Sequence, residues 1–101
     1  MNSGTYQVIF DASIPLDDVQ DTLQLAIIAA EALHGQPQVR LEAEHRMDVA
    51  ARSCVIHATS PAGRDLLQIF VGYLSEEFGQ NSYSVRRIEA PKADAPQGAR
   101  R

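Results

Sequence analysis

The chain predicts an α+β sandwich built in the order strand, helix, strand, strand, helix, strand. Three observations predict it. Two long amphipathic segments, residues 16–33 and 61–78, recur at helical spacing. Strand-like runs flank each of them, and helix-ending glycines, Gly35 and Gly79, close both. A helix that follows a strand packs back onto the sheet, so the order points to four strands in one layer and two helices in the other.

Residues 6–12 read as the first strand, with Tyr6, Val8, Phe10 and Ala12 on one face. Ser13-Ile14-Pro15 then reads as a helix start: serine can cap, and proline suits the first turn. Asp17 and Asp18 sit at the positive end of the helix dipole. Leu16, Val19, Leu23, Ala26, Ala30 and Leu33 follow on one helical face. Val39, Leu41 and Ala43 alternate with Arg40, Glu42 and Glu44, which predicts a half-buried second strand. Residues 52–59 alternate again, with Cys54, Ile56 and Ala58 inward, and a turn falls within residues 47–51.

Ser60-Pro61 opens the second helix with a capping serine and an N1 proline. Leu67, Phe70, Leu74 and Phe78, widened by Leu66, Ile69 and Tyr73, form its apolar face. Gly72 in mid-helix costs about 1 kcal/mol relative to alanine, and close approach to Ala26, Ala29 and Ala30 would explain it. Residues 82–88 supply the last strand through Tyr83 and Val85. Residues 90–101 hold two prolines and no aromatic or β-branched residue, so the expected division is one domain, 1–89, and a disordered tail, 90–101.

This layout resembles the ferredoxin-like, or split βαβ, plan, with an antiparallel sheet in the order 4-1-3-2 and both helices on one face. The fold by itself implies no activity. An acylphosphatase needs a glycine-rich anion loop with an arginine after the first strand, and residues 11–15 have neither. A metal carrier of this shape needs a Cys-x-x-Cys pair, and Cys54 is the single cysteine. RNA-recognition motifs need aromatics on the open sheet face, whereas Tyr6, Phe10 and Tyr83 fall on the helix side. Amino-acid-binding domains of the ACT type remain compatible.

Composition narrows the classes further. The chain has 101 residues, 45% hydrophobic and 22% charged, which suits one soluble domain. No apolar run approaches the roughly 20 residues of a membrane span, and residues 1–7 do not resemble a secretory signal. One cysteine excludes an intrachain disulfide and suits a reducing compartment, so the expected location is cytoplasmic. Residues 1–88 carry six arginines against eleven carboxylates. That acidic body disfavours nucleic acid as a partner.

No spacing assigns a catalytic, cofactor or metal site. Asp11 and His57 are the pair nearest to one, brought together if the first and third strands run parallel as the central pair; a solvated charge mixture is the favoured explanation of them. Ser60, Gly63 and Arg64, at a helix start, form a candidate anion site, where the serine cap alone also accounts for the pattern. Ile9 and Val55 lie on the sheet face that should meet water, where scattered surface apolar residues, sheet-to-sheet association or cover by the C-terminal tail would each account for them. Leu25 and Ile28 fall off the main stripe of the first helix, so a second face is covered by the other helix or by another chain. These four residues are the candidate interface. The expected function is a small non-enzymatic interaction or regulatory module that self-associates as a homodimer or other homo-oligomer, with a further protein partner allowed. A small-ligand sensor and an enzyme of unnamed reaction are the alternatives.

Overall fold

The computed structural model describes residues 3–88. The elements in chain order are β1 (Gly4–Phe10), α1 (Leu16–His34), α2 (Gln36–Glu42), β2 (His45–Asp48), β3 (Ser53–Ala58), α3 (Pro61–Phe78), a 3-10 turn (Gln80–Ser82) and β4 (Tyr83–Ile88). Among the described residues they make a small α+β unit of three α-helices and one antiparallel sheet, ordered β2-β3-β1-β4. That is the expected 4-1-3-2 order read from the other edge. The expected tail, 90–101, lies outside the described residues.

Pleating divides the sheet into two faces. Tyr6, Val8 and Phe10 of β1 point to the helices with Cys54, Ile56 and Ala58 of β3, and all six are buried. Ala12, expected to continue that face, falls beyond the strand and is exposed. From α1 the core takes Val19, Leu23, Ala26 and Ala30; from α3 it takes Leu66, Leu67, Phe70 and Leu74. Phe70 meets Phe10 edge to face, with ring centroids 6.1 Å apart and planes at 79°. The two long helices run antiparallel. Thr22, early in α1, hydrogen-bonds Glu77 late in α3, while His34 at the end of α1 meets Asp65 near the start of α3 at 2.7 Å.

The second strand is not where alternation places it. Residues 36–42 form α2, and β2 begins at His45. Val39 and Ala43 are buried together because they stand one helical turn apart, whereas Leu41 between them is 83% exposed. Pro37 in the first turn favours the helix and supplies no ladder N–H. Arg40, Glu42 and Glu44 therefore leave the sheet face. The hairpin turn occupies residues 49–52, with Arg52 at φ 50°.

Three further expectations need correction. Ser13 does not cap α1: its N–H and hydroxyl turn back to the Asp11 carboxylate, and Pro15 takes the cap position without a side-chain bond. Leu33 is 66% exposed, since at about 100° per residue it falls at the margin of the stripe whose centre holds the buried Ala30. Gly72 has open space where a side chain would stand. The glycine that close packing requires is Gly63, where a Cβ would lie 2.3 Å from the His57 carbonyl oxygen.

Candidate functional site

Asp11 and His57 do not form a pair. Strands β1 and β3 run antiparallel, Thr5 opposite His57 and Ile9 opposite Ser53, so Asp11 lies past the Ser53 end of β3 while His57 is at the other. A parallel pair would have aligned them; the hairpin between β2 and β3 reverses β3 instead. The Asp11 carboxyl is held below the usual carboxylate range, chiefly by the Ser13 hydroxyl, then by the Ser13 N–H and by the charge of Arg52. It stays ionised and locally engaged, which suits a loop brace better than a general base near neutral pH. The Arg52 guanidinium donates to the backbone oxygens of Asp11, at 2.6 Å, and of Ile14, tying the β1–α1 loop to the hairpin. The His57 ring Nδ1 pairs with Thr5 Oγ1 at 3.1 Å.

At the α3 start, Ser60 caps as expected: its Oγ accepts from the Gly63 N–H at 3.0 Å and donates to the Glu42 carbonyl at 2.9 Å. Gly63 is buried against β3, and Arg64 Nη1 donates to Ser3 Oγ at 3.0 Å. The three residues are neighbours, and the Ser60 hydroxyl, the Gly63 N–H and Arg64 Nη1 are engaged within the chain.

Cys54 is fully buried, and burial pushes its thiol up to about 11 from an ordinary value of 9.0. The sign follows directly. The folded state keeps the proton that the unfolded chain gives up, so this contribution to stability is whole below pH 9.0 and is lost as pH rises through about 11. Native protein should therefore react with iodoacetamide far more slowly than unfolded protein. A Cys54→Ala variant should lose that alkaline decline in urea melts, and reaction at the unfolded rate would contradict the burial.

Two apolar surfaces lie on opposite sides of the molecule, half-buried side chains on the sheet's open face and exposed ones on the helical side. On the sheet's open face Ile9 lies between Ser53 and Ser84, Val55 between Gln7 and Arg46, and Ile88 beside Thr5. Arg86 donates across this face to Gln7 Oε1 at 2.8 Å, and Gln7 Nε2 to Ser53 Oγ at 3.2 Å. On the helical side Leu25 and Ile28 are 54% and 53% exposed, so α3 does not cover them. They line a groove of about 380 Å³ between α1 and α3, with Ala29, Ala32 and Tyr73, bordered by Glu76 and Glu77.

A second hollow, about 330 Å³, opens between α1, α2 and β2, where Glu31, Arg40, Glu44 and His45 line it with Ile27 and Val39. The sequence reading missed it because assigning residues 39–44 to a strand hid the approach of Arg40 to α1. It also passed over Glu76 and Glu77, which look like ordinary solvated residues until α1 is set beside them.

Among the described residues no group of three or more His, Cys, Asp or Glu is placed to hold a metal ion, and no helix is long and apolar enough to cross a membrane. No family model, curated protein or solved structure matches the chain.

Proposed function

We propose that this chain is a small non-enzymatic interaction or regulatory module, ferredoxin-like in plan, that self-associates through the open face of its sheet. The sheet order and the two long antiparallel helices support the plan, with α2 added before β2. One observation carries the self-association. Ile9, Val55 and Ile88 share a helix-free face with charges of both signs, Arg46 and Asp48 on β2 and Arg86 on β4. A two-fold interface must complement itself, and a face that offers both signs can do so. Two such faces pack about 10 Å apart with their apolar side chains interleaved.

The small-ligand reading at Ser60, Gly63 and Arg64 carries less weight, because the Ser60 hydroxyl, the Gly63 N–H and Arg64 Nη1 have partners within the chain.

Sedimentation velocity at concentrations on the order of micromolar should give a dimer mass. The double variant Ile9→Thr, Val55→Thr keeps β-branched strand residues but removes apolar surface, and it should weaken the dimer about tenfold or more, roughly 1.4 kcal/mol. A wild-type protein that stays monomeric to about millimolar concentration, beyond the weakest useful affinities, would end the proposal.

A further inference from the structure

We propose that the groove between α1 and α3 docks a basic amphipathic helix of another protein. The surface lies on the opposite side of the molecule from the self-association face, and the proposal does not depend on that reading.

The floor is apolar and stands on two rigid elements. Leu25, Ile28, Ala29 and Ala32 advance along α1 by about 10 Å at roughly 1.5 Å per residue, or about two helical turns, and Tyr73 of α3 forms the facing wall. The small side chains of Ala29 and Ala32 let another helix lie close, while Leu25 and Ile28 offer knobs beside them. This is the shape that receives the apolar stripe of a single helix.

The rim gives the sign of the partner. Glu76 and Glu77 border the groove, and a contiguous hollow that shares Leu25 and Glu77 adds Asp18 and Asp21. Among the described residues no arginine lines either hollow, and residues 3–88 contain no lysine. The cluster sits at one end of the groove because the antiparallel packing brings the start of α1 to the end of α3.

Its placement on α3 is unfavourable for the isolated helix. The last turn of a helix presents a negative dipole end that favours Lys, Arg or His, yet α3 closes with Glu76 and Glu77 and no basic residue. The Thr22 hydroxyl, which also meets the Asp18 carbonyl, hydrogen-bonds Glu77 and brings no positive charge. A cationic partner would relieve this repulsion, and a second copy would not. A second copy pairing through this face brings a groove lined by no arginine or lysine among the described residues to meet these carboxylates, whereas the sheet face offers both signs.

The probe is a fluorescein-labelled peptide of about 18 residues, long enough to form helix, with Leu on one face and Lys on the other. Its controls are the same composition scrambled to remove the apolar face, and the same pattern with Glu replacing Lys. Anisotropy titration of the full chain should show the patterned basic peptide binding about tenfold or more tighter than either control. Ile28→Ser should cost about tenfold. The double variant Asp21→Asn, Glu76→Gln should weaken binding and flatten its dependence on salt, as loss of exposed charge pairs requires. All three substituted residues are exposed, and a thermal melt of each variant confirms that it is folded.

Equal binding of the scrambled peptide, or no change with Ile28→Ser, would overturn the groove. So would a peptide that splits a wild-type dimer, which would make the groove the self-association surface. The Ile9→Thr, Val55→Thr variant should bind the peptide as the wild type does, whichever mass sedimentation reports, so the two proposals fail separately.

Discussion

Phe70→Ala should cost about 3–5 kcal/mol, the range for a large aromatic removed from a core. Phe70 is fully buried at the middle of α3, edge to face with Phe10 of the central strand. It therefore links the two layers where neither backbone can move far to fill the space. Domains of this size have about 5–15 kcal/mol of total stability, so the variant should sit near its unfolding midpoint in mild denaturant. Phe70→Leu should recover most of the loss, because it restores much of the volume and gives up mainly the ring contact. Urea melts of the three proteins decide it. A loss below about 1 kcal/mol, within the spread of neutral surface changes, would mean that the layers are not held together at Phe70.

Gly63→Ala is the second large effect, and it should act through a single methyl group. The added Cβ would stand 2.3 Å from the His57 carbonyl oxygen and 3.2 Å from the Ala58 Cα, both backbone atoms of β3. No side chain can swing aside to relieve the contact, so α3 must move off the sheet. A cost of about 1–3 kcal/mol is expected for such overpacking. The same substitution at Gly72, nine residues on in α3, meets nothing within 4 Å and should stabilise by about 0.5–1 kcal/mol through helix propensity. Opposite signs in denaturant melts, with unchanged dependence on denaturant concentration, would establish that approach to the sheet separates the two sites. Equal signs would show that propensity alone governs both.

The two glycines also show what the sequence makes legible. Both sit in one helical pattern, and propensity flags Gly72 because glycine in mid-helix costs about 1 kcal/mol relative to alanine. Gly63 falls in the first turn, where glycine is unremarkable, and only the crossing of α3 over β3 gives it a role. Residues 36–42 posed the same difficulty. Val39, Leu41 and Ala43 fit a period of two, and Val39 with Ala43 also fit a helical turn. Whether Leu41 is buried with them settles the matter, and that depends on where the sheet lies. The long helices, β1, β3 and β4 were legible because their patterns run over many residues. Leu25 and Ile28 were legible as a second apolar face of α1. Glu76 and Glu77 gain meaning only when the end of α3 lies beside the start of α1.

The sheet order carries a kinetic consequence. Strand β1 is central, and its two neighbours, β3 and β4, are both distant in sequence; Thr5 pairs with Ile88 at the far end of the described chain. During synthesis β1 emerges first but keeps one open edge until β4 has left the ribosome. For that interval Val8 and Phe10 lie along a strand that can pair with another nascent chain. Such remote pairing also slows folding, because the loop must close before any contact rewards it. Exposure to aggregation should thus be greatest before the last strand arrives, which makes residues 83–88 the piece on which safe folding waits.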